Sequence, residues 1–479
     1  MLTLNSRVVT SIDFEQLWRA DKISVASAFT SYLRSRYVFR PRAFAFRERL
    51  LEWLPEKLDQ VTLGSMTLSH LQDLYMHCSY AITPKKHAIK AKVMAQMRRA
   101  CLKAGVSEIE PTKSPPVSER PTVVIVCEEI KYDHSIYRTH SAAMRALRER
   151  FNVVGFVYRD QISSEINELF DETVAMPEGD YFEVVREISE EIRRRSPAVI
   201  IFPSLGMRPH AIALASVRLA PIQCVSYGHA ASTRSPAIDY MVLPEDFVGL
   251  SDRFSEKVLA LPGIAMPFRP PHLNRPTLKV APDRKTGEKI RIGIPSSVMK
   301  LNPNFFAALK RVSASARMPT EFQFFPLGSF GLAHAELTRV TRSVLPASAV
   351  FRQLPYGDYL ERLSKCDFIL CPFPYGNTNS IVDAILVGLP GICLDGPEPH
   401  SHIDAGLFHR MGFPDQLTTN TIDDYVSEAV RMIDDVEWRA HCREIAFKCD
   451  LDKAFFRGDA GLFCDAIAKL VWPNEASHS

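Results

Sequence analysis

Two kinds of hydrophobic pattern alternate along the chain. In 43-AFAFRERLLEWLPEKL-58 and 66-MTLSHLQDLYMHCSYAI-82 apolar residues recur every three and four positions, the period of an amphipathic helix. Residues 1–112 are therefore expected to form an all-helical domain. After the proline-rich stretch 111-PTKSPPVSERP-121 the pattern changes to short, continuously apolar runs: 122-TVVIVCE-128, 151-FNVVGFVY-158, 198-AVIIFPS-204, 221-PIQCVSYG-228 and 239-DYMVL-243. Helical segments such as 184-VVREISEEIRRR-195 separate them. Runs that are apolar on both faces and joined by helices predict a parallel sheet covered on both sides, here over residues 121–265. Six prolines fall from Pro262 to Pro282, and the alternation then restarts with 290-IRIGIP-295, 321-EFQFFPLG-328, 367-DFILCPF-373 and 390-PGICLDG-396. This predicts a second such domain over 286–450. The tail, 451–479, reads as helical and suited to brace the first sheet. The expected fold class is α/β, two Rossmann-like doubly wound domains following an all-α N-terminal domain.

Composition narrows the function classes. With 46% hydrophobic and 24% charged residues in 479, the chain is a folded protein rather than a disordered one. Lysine and arginine (58) against aspartate and glutamate (55) leave +3, too small an excess for whole-chain binding of a polyanion, so no nucleic-acid partner is expected. Arg218 interrupts the longest apolar stretch, 211–225, well short of a membrane span, so no membrane insertion is expected. Asp13 and Glu15 stand where a signal peptide needs its apolar run. The ten cysteines include no CxxC and several lie inside strand-like runs, which suits reduced thiols in the cytoplasm.

Two doubly wound domains enclose a cleft, and ligands in such sheets sit at the carboxyl ends of the strands. The most informative loop is 371-CPFPYGNTNSIVDAILVGLPGICLDG-396, where a buried strand leads to a helix starting between Asn377 and Ser380. A helix N-terminus aimed at a cleft attracts anions through its unpaired amides and its dipole. Asp383, four residues after Asn379, shares its helix face and reads equally as a ribose-accepting carboxylate and as a solvated first-turn acid. In 290-IRIGIPSSVMKLNP-303, Lys300 follows two serines at the end of a strand and suits a pyrophosphate, or is an ordinary surface lysine. The loop 127-CEEIKYDHSIYRTHS-141 offers Asp133, His134, Arg138 and His140, and 226-SYGHAASTRSP-236 offers His229.

Other features read as structural. His400, His402 and Asp404 have the spacing of metal ligands but no second ligand cluster, so no metal is expected; Cys366 and Cys371 read as core thiols. Segment 85–105 carries seven basic residues and no acid. It reads first as a solvated face, and otherwise as a surface for nucleic acid, acidic lipid or an acceptor protein. No GxGxxG or GxxxxGK[ST] follows a strand, which argues against hydride-transfer and P-loop enzymes.

The segments HSIYRTHS (134–141), RLAPIQ (218–223), GHAAST with IDYMVLPEDFVG (228–249), MKLNP (299–303) and FPYGNTNSIVDAILVGLPG (373–391) resemble the bacterial cytoplasmic N-glycosyltransferases that modify adhesins. These belong to glycosyltransferase family 41, with O-GlcNAc transferase. The resemblance covers about 120–450 and extends more weakly over 37–58. It implies a GT-B fold, an N-terminal helical domain that handles the acceptor, and inverting, metal-independent transfer of glucose from UDP-glucose, or a related UDP-hexose, to asparagine in Asn-X-Ser/Thr of a protein acceptor such as an adhesin. It further implies His134 as the residue needed for activity and donor contacts from His229, Ser297, Lys300, Gln353, Pro355, Thr378, Asn379 and Asp383. Two positions depart from the family: Ala230 stands where relatives have proline after the loop histidine, and Gln353 where they place a histidine against the uracil. Transfer of another sugar such as GlcNAc to Ser/Thr or to a small acceptor, and a non-catalytic adaptor using the basic segment 85–103, are the alternatives.

Overall fold

The computed structural model describes residues 12–110, 118–271 and 288–473. Much of the two proline-rich junctions lies outside the described residues. The N-terminal unit consists of helices Phe14–Ala20, Lys22–Leu33, Pro41–Lys57, Ser65–Leu68, Gln72–His77 and Ala88–Lys103. Asp13 and Asp21 start the first two by accepting the amides of Gln16 and Ser24. Phe14, Phe29, Phe46 and Trp53 pack largely edge to face in its core. The 66–82 pattern, expected to be helical, breaks into short pieces ending in a tight turn at Cys78–Tyr80, which carries Ser79 and Tyr80 into the interior.

The first sheet has seven strands, β1 (Thr122–Val126), β2 (Asn152–Val157), β3 (Glu172–Ala175), β4 (Val199–Phe202), β5 (Ile222–Ser226), β6 (Tyr240–Pro244) and β7 (Lys257–Leu261). All run parallel in the order β3-β2-β1-β4-β5-β6-β7. The second has β8 (Ile290–Ile294), β9 (Thr320–Phe324), β10 (Ser348–Val350), β11 (Phe368–Leu370), β12 (Gly391–Leu394) and β13 (Thr418–Thr419), parallel in the order β10-β9-β8-β11-β12-β13. The central strands are almost fully buried, as continuous apolar runs require. The four strands that the hydrophobic pattern does not announce, β3, β7, β10 and β13, are the four edges of the two sheets. Edge strands have only one flank and part of each face covered, so their side chains are mostly half-exposed or exposed and need no apolar run.

The two sheet domains meet closely. A Cβ on Gly406 would lie 2.2 Å from the Asp246 carbonyl oxygen, so only glycine permits this approach. Arg410 grips the Asp246 carboxylate with two bonds of 2.6 and 2.7 Å. The terminal helix Gly461–Val471 packs on helix Ser135–Ala146 of the first sheet domain, and Trp472 stacks on Phe151 with ring centroids 5.5 Å apart.

The basic segment is corrected by the structure. Its helix starts at Ala88, and two of its lysines are buried rather than solvated. Lys90 donates to the Ser232 carbonyl at 3.1 Å, and Lys86 pairs with Glu398 of the second sheet domain. One side of the helix is a strut between domains, where Lys90 meets a group 142 residues away, while Lys92 and Arg98 pair nearby with Asp59 and Glu108 and Arg99 and Lys103 stay exposed.

Candidate functional site

In the second sheet β8, β9 and β10 progress in one direction and β11 to β13 in the other, so the chain reverses between β8 and β11. Loops diverge at such a switch point and leave a crevice at the carboxyl edge. The loop after β8 carries Ser297 and Lys300, and the loop after β11 carries 371–380. Asn302 holds the two together: its side chain caps helix Pro303–Ser315 by accepting the amides of Asn304 and Phe305, and donates to the Phe373 carbonyl at 2.6 Å.

Lys300 is half-buried, donates to the Gly376 carbonyl, and lies 5.2 Å from the centre of the Tyr375 ring. Burial pushes its ammonium down to about 8, against the opposing pull of the Asp404 carboxylate. It is therefore charged at neutral pH and poised to gain from an anionic ligand.

The helix after β11 begins at Asn379, and its start differs from an ordinary capped helix. Thr378 at the cap position has φ +53° and makes no side-chain capping bond. A β-branched residue in that region is strained. Asp404 holds it there: its buried carboxylate accepts the Asn377 amide at 2.8 Å and the Thr378 amide at 3.1 Å. Gly376 is required beneath it, since a Cβ would sit 2.5 Å from the Asp404 carboxylate. Asn379 and Ser380 then supply the first helical amides, which have no intrahelical acceptor. Several buried polar atoms around the crevice lack a partner: both amide-group atoms of Asn377, Oδ1 of Asn379, and Nε and Nη2 of Arg138. Orphaned polar groups at one edge are what a polar ligand satisfies.

Asp383 does lie one turn below Asn379, but it is neither solvated nor open. Arg138 of the first sheet domain donates to its Oδ1 at 3.0 Å and Tyr356 does so at 2.6 Å. Burial raises its carboxyl, with the Arg138 charge opposing. A ribose hydroxyl must share this carboxylate with both. Tyr356 opens the helix that follows β10, and the exposed Gln353 and Pro355 precede it on the same rim. The rim thus runs from Gln353 and Pro355, past Asp383, to Lys300, Thr378 and Asn379.

On the opposite wall, His134 caps helix Ser135–Ala146, its Nδ1 accepting the Ile136 amide at 3.3 Å. Burial lowers its pKa, so the ring is neutral at pH 7 and carries its proton on Nε2. In that form it offers a hydrogen-bond donor rather than a base. His140 is not beside it in function: it is buried, bonded to Thr139 and Ser226 and packed at a tilt against Tyr227, a core histidine. His229, after β5, is also buried, but it reaches the second domain, with Nδ1 3.3 Å from the Tyr375 hydroxyl.

The metal-like spacing of His400, His402 and Asp404 dissolves in three dimensions. His402 bonds Asp395, His400 bonds the Ala230 carbonyl, and Asp404 supports the loop as described. A different trio, His87, Glu398 and His400, brings its ligand-type atoms within 4.8 Å, with the Lys86 ammonium already on Glu398. Cys366 and Cys371 are buried thiols. Asp404, Tyr356 and Tyr375 were not singled out for these roles from sequence. The glycine at 376, beside a helix start, is the one local sign that another group must approach there.

The family model described as HMW1 domain 2 matches residues 15–101, within the helical unit. Two proteins named UDP-glucose:protein N-beta-glucosyltransferase, from Actinobacillus pleuropneumoniae serotype 5b (strain L20) and serotype 7 (strain AP76), are each 34% identical over 460 residues, covering 94% of this chain and 73% of their own. A probable UDP-N-acetylglucosamine--peptide N-acetylglucosaminyltransferase SPINDLY of Hordeum vulgare is 22% identical over 369 residues, 72% of this chain and 38% of its own. Among solved structures, a mutant O-GlcNAc transferase of Thermobaculum terrenum matches with a TM-score of 0.71 at 16% identity, over 95% of this chain and 85% of that one. That likeness is one of fold, and the two-sheet architecture is the GT-B fold.

Proposed function

The chain belongs to the family of the UDP-glucose:protein N-beta-glucosyltransferases, and from that premise we propose that it transfers glucose from UDP-glucose to asparagine side chains of Asn-X-Ser/Thr in a protein acceptor. The observation that carries this reading is the switch-point crevice, where a half-buried lysine, a strained helix start and unpartnered polar atoms converge.

In a direct displacement the acceptor attacks the anomeric carbon while the bond to the diphosphate breaks, and negative charge grows on the departing UDP. Lys300 and the amides of Asn379 and Ser380 meet that charge with groups already in place; removal of one such donor typically costs a hundred- to a thousand-fold in rate. In our reading these groups supply the positive charge, and the reaction needs no metal. Asp383 takes the ribose and Gln353 and Pro355 the uracil end, which spreads the nucleotide along the rim. His134 presents Nε2–H across the cleft and orients the acceptor amide or a sugar hydroxyl; its neutral tautomer does not support proton abstraction.

The helical unit contributes acceptor contacts, and an adhesin-type protein is the acceptor class we favour. Two observations support its forming part of the cleft: Tyr80 packs on Tyr375 with centroids 4.5 Å apart, and Ser79 bonds His229 at 3.0 Å. We place the protein in the cytoplasm, where UDP-sugars are made. The ten cysteines form no disulfide, which suits that compartment, and no helix among the described residues is long and apolar enough to cross a membrane.

Intact-mass analysis of an Asn-X-Thr peptide and its Gln-X-Thr control, incubated with the protein, a panel of UDP-sugars and EDTA, tests this. The expected result is one added hexose from UDP-glucose on the asparagine peptide alone. Transfer from another UDP-sugar, to the threonine, or only without EDTA would overturn the corresponding part.

A further inference from the structure

Behind the donor loop, side chains from all three domains form one buried chain of hydrogen bonds. The Tyr375 hydroxyl lies 3.3 Å from His229 Nδ1; His229 Nε2 lies 3.0 Å from Ser79 Oγ; Ser79 Oγ lies 3.1 Å from His87 Nε2; and His87 Nδ1 lies 3.1 Å from Glu398 Oε1. Ser79, His87 and His229 are each at most 5% exposed, so no solvent competes along the middle of the chain.

We propose that Ser79, His87 and Glu398 act as a positioning relay that holds His229 in a single tautomer and turns the Tyr375 hydroxyl onto it. The helical unit thereby fixes the 371–380 loop, on which Lys300 rests, for the donor diphosphate, a role that rests on the functional reading above.

The direction follows from donor counting. Glu398 is ionised, its carboxyl held far below the usual range by bonding to His87 and by the Lys86 charge, although burial alone would raise it. An ionised carboxylate only accepts, so His87 Nδ1 carries a proton. Burial pushes His87 down to about 3, so the ring is neutral and its Nε2 is bare. Ser79 must then donate its one proton to His87, which leaves its oxygen to accept from His229 Nε2–H. Burial and surrounding cations keep His229 neutral as well, so its Nδ1 is bare and accepts from Tyr375. Each link leaves one choice for the next.

A second observation sets the far end. The Ala230 backbone N–H acts on the Tyr375 phenol against the upward push of burial, which leaves the hydroxyl proton for His229. Tyr375 in turn lies against the Lys300 ammonium and stacks on His400, with centroids 4.9 Å apart. The same geometry argues against a proton sink: a carboxylate already satisfied by Lys86 and His87 is a poor final acceptor, so Glu398 anchors the chain.

The test is long-range 1H–15N correlation on full-length protein labelled with 15N-histidine, with His229 and His87 assigned through His229→Gln and His87→Gln. Calorimetric titration with UDP-glucose runs in parallel. The expected spectrum shows His229 as the Nε2–H tautomer and His87 as the Nδ1–H tautomer, both constant from pH 6 to 8.5. Ser79→Ala is expected to abolish the single His229 tautomer and weaken UDP-glucose binding roughly ten-fold, the lower end of what loss of an outer-shell partner that orients a histidine costs at a metal site. Glu398→Gln covers the case in which Ser79→Ala does not fold. Its amide can donate as well as accept, which permits the reversed chain and should bring His229 partly to Nδ1–H without touching it.

An Nδ1–H or mixed His229 in the unmodified protein would overturn the relay. So would Ser79→Ala or Glu398→Gln spectra unchanged at His229. A lost tautomer with UDP-glucose affinity within two-fold of the unmodified protein would overturn the positioning role. Failure of the unmodified protein to bind any UDP-sugar would instead defeat the functional reading, and the tautomers would still decide the relay.

Discussion

The lowered pKa of Lys300 makes donor binding depend on pH in a calculable way. Its ammonium ionises near 8 in the free protein because burial disfavours the charged form. About nine-tenths of the molecules carry the charge at pH 7 and about one-tenth at pH 9. A bound diphosphate favours the charged form and raises the pKa, so binding above pH 8 takes up a proton. The sign is therefore fixed: affinity is flat at low pH and falls as pH rises through 8, approaching ten-fold per unit, or about 1.4 kcal/mol. UDP-glucose is the right probe, because its diphosphate is a diester whose charge does not change in this range, unlike the terminal phosphate of UDP. Calorimetry from pH 6 to 9 gives the curve, and buffers of different ionisation enthalpy give the proton uptake. Lys300→Met removes the titrating group and a charge-assisted bond of roughly 1.5–3 kcal/mol, a loss of roughly 10- to 100-fold at pH 7 with a flattened profile. A flat profile in the unmodified protein, or the same slope in Lys300→Met, would refute the reasoning.

Three further outcomes follow from the geometry. Gly376→Ala forces a methyl against the Asp404 carboxylate and should reduce UDP affinity at least ten-fold, measured by calorimetry, with a melting temperature lowered by only a few degrees. Asp404→Ala strips the acceptor from two buried amides and releases the strain at Thr378; a loss of roughly 2–4 kcal/mol in urea unfolding, together with lost UDP binding, is expected. Arg138→Met leaves buried Asp383 with Tyr356 but without its cationic partner, which should cost about 3–5 kcal/mol, and the double variant with Asp383→Asn should recover part of that in the same unfolding experiment.

The sequence is most legible where a single local pattern carries the information. Continuous apolar runs mark the nine inner strands because each is covered on both faces. The pattern is silent on β3, β7, β10 and β13, whose edge positions leave much of their surface outside the core. The switch-point edge is also readable, since Lys300 and Asn379 each follow an apolar strand. What surrounds them is not. Asp404 has a metal ligand's spacing from two histidines but reads as structural without a role, and its partners are amides 26 and 27 residues back along the chain. Lys86 and Lys90 read as a charged face because Glu398 and the Ser232 carbonyl are remote in sequence. Asp383 meets Arg138 across 245 residues. Long-range polar partners have no periodicity, and a single chain's sequence holds no local trace of them.

The central claim is that the edge between β8 and β11 holds the diphosphate of a UDP-sugar. Diffraction from crystals grown with UDP tests it most directly. The account predicts the β-phosphate within hydrogen-bond distance of Lys300 Nζ and of the Asn379 or Ser380 amide, with a ribose hydroxyl on Asp383. UDP bound elsewhere, or bound with Lys300 still closed on the Gly376 carbonyl and no contact to the helix start, would contradict it.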